Sequence, residues 1–312
     1  MNSRPPKERL ELPLVKAPDS IWTSIEAALD AQIQSTAARP RQFWAWGLGA
    51  AALIVIGVFV WRAANTPKPE WNVVRVDGQP SIGSRPIGDA AKIAAGERLR
   101  TDASSRARIA VSDIGTVEVS PNTQIQMVAA RPSEQRLKLI SGEIAASVSA
   151  PPRLFFVDTP ASTAVDLGCA YTMKADGEGN GILRVTLGWV SLEWEGRESL
   201  VPAGASCRTR KKVGPGTPFF EDASQLLKDA VAGFDFNGAS DADLETVLAE
   251  ARVRDTLTLW HLLSRVAPAD RPRVYRRIAE IAPPPATVSR DKILQLDRAA
   301  LKLWREELAW KW

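Results

Sequence analysis

Leu137-Lys138-Leu139-Ile140-Ser141-Gly142-Glu143-Ile144 and, further along, Leu183-Arg184-Val185-Thr186-Leu187-Gly188-Trp189-Val190 share one design. Apolar residues alternate with polar ones, a glycine interrupts, and the alternation resumes. A period of two puts every second side chain on one face of a strand. Glycine opens backbone angles closed to other residues. Each stretch therefore reads as strand, sharp corner, strand. Asp113-Ile114-Gly115-Thr116-Val117 echoes the pattern more weakly.

Working outward, strand-like runs cover Asn72–Asp77, Ala107–Ser112, Thr116–Ser120, Arg136–Ile140, Glu143–Val148, Leu154–Asp158, Thr163–Leu167, Gly181–Leu187, Trp189–Glu193 and Ser199–Val201. Asp77-Gly78, Ser141-Gly142, the run Asp176–Gly181 and Gly204 punctuate them as turns. Many short strands at this spacing define a β region built as a sandwich, a barrel or a short β-helix.

On the N-terminal side, Phe43–Trp61 is an uncharged run of about 19 residues. As a helix it would span roughly 29 Å, close to the ~30 Å hydrocarbon core of a bilayer. Trp44, Trp46 and Trp61 stand at its ends, flanked by Arg39, Arg41 and Arg62, as interfacial anchors should. The run is too long and starts too late for a signal peptide. It reads as one transmembrane helix spanning residues 43–62. The preceding tail carries Arg4, Lys7, Arg9, Lys16, Arg39 and Arg41, more positive charge than the first turns beyond the helix. The N-terminus is thus expected in the cytoplasm and the bulk of the chain in the periplasm. Within the tail, residues 1–42, Trp22, Ile25, Leu29 and Ile33 share one helical face behind a cap at Asp19 or Ser20. That face is the candidate partner-binding surface, a passive spacer being the alternative.

After Gly214-Pro215-Gly216-Thr217-Pro218, read as a hinge, the periodicity becomes helical over Asp222–Phe234, Ser240–Arg252, Asp255–Val266, Ala269–Ile281 and Ser289–Trp310. Asp222, Ser240, Asp255 and Ser289 are candidate caps, and Pro283-Pro284-Pro285 stops the fourth helix. Leu257, Trp260 and Leu263, and Leu294, Leu301, Trp304 and Leu308, form apolar faces of a small bundle or solenoid. Trp310 and Trp312 either seal this bundle or form a docking patch, and sealing is the expectation. The expected organisation is a β domain over 71–212 and a helical domain over 219–312.

The composition argues against several classes. A formal charge of +4 over 312 residues is too small for a nucleic-acid-binding surface. The densest basic cluster, Arg208, Arg210, Lys211 and Lys212, reads as a solvated strand end. The lone histidine, His261, lies among Leu257, Trp260, Leu262 and Leu263, a core or helix-surface setting rather than a catalytic one. Asp158 and Asp166 alternate with apolar residues and read as polar strand positions rather than a carboxylate pair. The run Gly177–Gly181 lacks the Lys-Ser/Thr ending of a phosphate loop and reads as a hairpin tip. Two cysteines make too small a ligand set for zinc. No enzyme, cofactor or metal site is expected. Cys169 and Cys207, both beyond the membrane segment, are expected to pair as a disulfide, two free buried thiols being the alternative.

Gly96–Asp102, Ser105–Ile109, Gly115-Thr116-Val117, Leu139–Ile144, Phe156–Pro160 and Val185–Val190 occur in the order found in the periplasmic FecR-type domain, which Trp71 to about Arg210 resembles. The resemblance implies a single-pass inner-membrane regulator that relays a signal from an envelope or outer-membrane receptor protein to an extracytoplasmic-function sigma factor. The chain departs from that pattern in its short tail and in its helical C-terminal part. A cell-envelope scaffold or glycan-binding module without a signalling role is the alternative.

Overall fold

The computed structural model describes residues 70–312, which lie within one compact unit, Lys68–Trp312. The apolar segment Phe43–Trp61 and the tail face of Trp22, Ile25, Leu29 and Ile33 lie outside the described residues. Among the described residues, no helix is long and apolar enough to cross a membrane. The chain is mainly β, followed by a small helical region. In order the strands are β1 Glu70–Asp77, β2 Ser81–Ile82, β3 Arg85–Pro86, β4 Ala90–Ala94, β5 Arg98–Arg100 and β6 Arg106–Val111. Then come β7 Gly115–Val119, β8 Gln124–Arg131, β9 Glu134–Val148, β10 Phe155–Asp158, β11 Thr163–Asp166 and β12 Cys169–Ala175. The last six are β13 Gly181–Leu187, β14 Trp189–Trp194, β15 Arg197–Pro202, β16 Ala205–Arg210, β17 Gly214–Pro215 and β18 Phe219–Phe220.

Strand pairing resolves the open choice of β architecture into a two-layer sandwich. One layer runs β4-β1-β6-β7-β9-β12-β13-β16, and short β17 and β18 both add to β16. The other runs β3-β2-β5-β8-β9-β10-β11-β14-β15. Every pairing is antiparallel except β9 with β10, which excludes a parallel β-helix. Alternate side chains from both layers, including Trp71, Ile93, Ile109, Leu139, Phe155, Tyr171 and Leu192, meet in one buried core.

The chain crosses repeatedly between layers, and the glycines of the repeated motif sit where it crosses. β9 belongs to both layers: Glu134–Ser141 pairs with β8, and Gly142–Val148 pairs with β12. Gly142 turns the strand at φ +97°. A Cβ there would fall on Thr123, whose hydroxyl accepts the Glu143 N–H at 3.0 Å. Gly188, at φ +73°, carries the chain from β13 to β14, and a Cβ on it would overlap the carbonyl of Gly168 at the neighbouring crossing. Gly115 differs: it opens the β6–β7 hairpin within one layer, tight against Ser147 and Val148. The strand-corner-strand reading therefore holds at two of the three sites.

The helices are α1 Gln225–Phe236, α2 Asp241–Glu250, α3 Thr256–Leu263, α4 Arg271–Ile281, α5 Arg290–Leu294 and α6 Arg298–Leu308, ending in a 3-10 turn at Ala309–Lys311. Ser240 and Ser289 cap α2 and α5. The cap of α1 is Ser224 rather than Asp222, which pairs instead with Arg252 and Arg254. Asp255 makes no side-chain cap bond; buried, it accepts from Arg252. The expected last helix is two, because Leu296 adopts φ +59° between α5 and α6. The Gly214–Pro218 hinge is corrected: all five residues are buried. Gly216 N–H donates to Arg208 O, and Thr258 Oγ1 donates to Pro218 O at 2.8 Å. Trp312 packs against both cores and Trp189, sealing them as expected, whereas Trp310 is 90% exposed.

Replacing Gly142 by alanine forces a left-handed backbone angle on an L-residue and drives a methyl into Thr123. The expected loss is about 2–5 kcal/mol of unfolding free energy. Urea titration of the purified chain measures it, and the same substitution at Gly196, where no atom lies within 4 Å of a Cβ, isolates the steric part.

Candidate functional site

The second layer ends at β15, which pairs with β14 alone among the described residues. Residues two apart point their backbone groups the same way, so Leu200 N–H and Glu198 C=O both face off this edge. Helical-region side chains take them up. His261 Nε2 accepts the Leu200 N–H at 3.0 Å, and Arg265 Nη2 donates to Glu198 O at 3.4 Å. Because a backbone N–H only donates, His261 Nε2 carries no proton, and its Nδ1–H donates to Leu257 O at 2.9 Å. Burial, reinforced by the nearby Arg265 and Arg305 charges, pushes the imidazole pKa down to about 3. His261 is 3% exposed, a core histidine that spends both nitrogens on backbone.

Arg265 is the hub of the junction. Its side chain is 7% exposed and faces Asp235, 1% exposed, at 3.4 Å. Burial holds the guanidinium below its ordinary pKa, with Asp235 opposing that shift. Arg265 also donates to Thr217 Oγ1 at 2.7 Å and Ser199 Oγ at 2.6 Å. Arg197 of β15 reaches the same Asp235 oxygen at 3.3 Å. A buried carboxylate thus holds two arginines, one from the sheet and one from the helices. Removing one member of such a group typically costs about 3–5 kcal/mol.

Beside this network lies a cavity of about 550 Å3, lined by Gly196, Arg197, Glu198 and Leu200 from the sheet and by Trp260, His261, Ser264, Arg265 and Arg305 from the helices. A second hollow, about 740 Å3, continues over the β14–β15 tip toward Arg136, Arg153 and Phe156. Arg136 there is neutralised by Glu134 and Asp158 at 2.7 Å each, and Arg153 by Glu193 at 2.9 Å.

The structure separates the carboxylates Asp158 and Asp166. Asp158 pairs with Arg136 and accepts from Thr163. Asp166, 2% exposed, points inward, and burial raises its pKa. The basic cluster divides as well. Arg208 donates to Lys228 O, and Arg210 donates to Phe236 O and stacks 4.7 Å over the Phe236 ring, so both hold α1 to the sheet. The run Gly177–Gly181 is a hairpin tip closed by Asp176, which accepts from Glu178 and Asn180 N–H groups. Among the described residues, no group of three or more His, Cys, Asp or Glu side chains is placed to hold a metal.

The expected Cys169–Cys207 disulfide is corrected. Both thiols are free and buried. Cys207 on β16 lies opposite Leu183 of β13, which lies opposite Met173 of β12. Cys169 is therefore two strands across and four residues along, roughly 10 Å by 13 Å, whereas a disulfide needs Cα atoms within about 7 Å. Cys169 donates to Asp166 Oδ2 at 2.7 Å and Cys207 to Gly216 O at 3.0 Å.

The residues that build the junction were not singled out as site residues by the sequence, apart from His261, and that histidine was read as structural. Arg197, Asp235, Arg265 and Arg305 come from separate elements and share no local motif.

Part of this chain is similar to known proteins. Residues 97–190 match the family model described as FecR protein, so this chain carries a FecR domain. The match runs from just before β5 into β14, and the strands continue beyond it on both sides. The chain is also similar to two crystal structures of a candidate anti-sigma factor from Parabacteroides distasonis. One is 14% identical with a TM-score of 0.35, covering 43% of this chain and 63% of that one. The other is 16% identical with a TM-score of 0.36, covering 44% and 64%. Each match spans less than two thirds of the solved chain. No curated protein matches this chain.

Two measurements follow from the junction and the thiols. Burial pushes Cys207 up to about 12 and Cys169 higher still, the bond to Asp166 adding to burial. Both thiols should therefore resist alkylation in the folded protein, react on unfolding, and appear free in non-reducing mass spectrometry. His261 has a folded pKa near 3 against an ordinary 6.5. Its contribution to stability is thus complete above pH 6.5 and is lost as pH falls toward 3, because the unfolded chain binds the proton first. The expected slope is up to about 1.4 kcal/mol per pH unit across that window. Comparing the pH dependence of unfolding for the wild type and His261→Gln should show this slope missing from the variant.

Proposed function

We propose that this chain is a single-pass inner-membrane regulator that acts by protein contact, with residues 1–42 as the cytoplasmic arm, 43–62 as the span, 71–212 as the FecR-like sensory domain and 219–312 as its helical companion. The FecR domain carries the reading. It lies beyond an apolar run long enough to cross a bilayer. Proteins with this domain are generally regulators rather than enzymes, and the buried charges at the junction are spent on structure. In this reading an envelope or outer-membrane receptor protein engages the periplasmic part, and Trp22, Ile25, Leu29 and Ile33 hold an extracytoplasmic-function sigma factor on the cytoplasmic side.

The tail face is the point of test. Trp22→Asp combined with Leu29→Asp places two charges in a helix-in-groove contact and should weaken it by on the order of 3 kcal/mol, roughly 100-fold. The full chain, extracted from its own envelope, should retain a sigma factor that the double variant releases, with a matching change in transcription of the regulated genes. Unchanged retention and unchanged output would make the tail a spacer and leave the chain an envelope scaffold.

A further inference from the structure

The junction cavity is short of one counter-ion. Arg197, Arg265 and Arg305 line it, and Glu198 is its only acidic lining residue. Behind it, Asp235 is shared by Arg197 and Arg265. Three positive groups thus face two negative ones, and Glu198 is already engaged by Ser191 Oγ at 2.8 Å. Arg305 makes no ion pair among the described residues; its guanidinium lies 5.9 Å over the Trp260 ring. Burial keeps His261 neutral, and the charges of Arg265 and Arg305 add to that effect.

The walls differ from the charges. Leu200 and the Trp260 indole supply apolar surface, and about 550 Å3 lies within the range of small-molecule sites. The adjoining hollow over Phe156 lacks this imbalance, since its arginines are each paired with a carboxylate.

We propose that the cavity between β15 and helices α3 and α6 binds a small organic carboxylate, its charged end held by Arg305 and the free side of Arg197 and its apolar body lying against Trp260 and Leu200. Arginine suits this role because its planar fork matches a carboxylate in two hydrogen bonds. Since the cavity walls come from both the sheet and the helices, a bound carboxylate ties the two together. The proposal stands independently of the regulator reading, because binding is measured without reference to a sigma factor.

The test is calorimetric titration of the full chain in detergent with succinate, with inorganic phosphate as a second anion and sodium chloride at matched ionic strength as control. Saturable succinate binding with a rise in melting temperature is expected. Arg305→Gln should weaken that binding roughly 10- to 100-fold, the range for a charged hydrogen bond, and Arg305→Lys should recover part of it. Arg298→Gln, outside the cavity lining, should leave it unchanged, and melting curves without ligand confirm that each variant folds. Binding of phosphate alone, a chloride effect of equal size, no binding by either anion, or succinate binding indifferent to Arg305→Gln would each overturn the proposal.

Discussion

A sandwich of two open layers has edges, and the terminal edge at β15 is where this fold depends on something other than strand pairing. An unpaired strand edge is a template for wrong association. Here it is occupied by His261 and Arg265, which meet the outward N–H of Leu200 and C=O of Glu198. Asp235 on α1 holds both Arg265 and Arg197 of β15, so the helical region is fastened to the sheet through a shared buried carboxylate as well as through apolar contact. The opposite end of the same layer is managed differently, by the very short β3 with Pro86 in it, a residue that lacks the N–H a further strand would need.

The FecR match and the geometry divide the chain unevenly. The matched residues, 97–190, cover the middle of the sandwich. The cavity with its surplus positive charge lies past the match, built from β15 and from helices that β17 and β18 lead into.

The β region was legible where alternation was strong and turns were marked by glycine, as at Gly142 and Gly188. β8 and β12 went unread because Gln124, Gln126, Ala129, Ala170 and Lys174 dilute their strand character, although Ile125, Met127, Tyr171 and Met173 alternate into the core. Five helical runs were legible from spacing where the structure has six α-helices, because Leu296 breaks the last run without a glycine or proline to announce it. The disulfide expectation rested on compartment and count. It failed because a sheet separates two cysteines by register, which a linear count does not contain. The junction site was not readable at all, because Arg197, Asp235, Arg265 and Arg305 converge only after folding.

The order of pairing has a consequence for how the molecule comes into being. Apart from β9, which β7, β8, β10 and β12 all join, most strands bond to neighbours close in sequence, β1 to β4 and β6, β13 to β12 and β16. Such locality lets the layers grow from the N-terminal side as the chain is delivered to the compartment where it folds, each hairpin landing on one already formed. β15 is then in place before α3 and α6, which follow it in sequence. For that interval its backbone stands bare, and the unfinished sandwich is open to association until the helices follow and close over it.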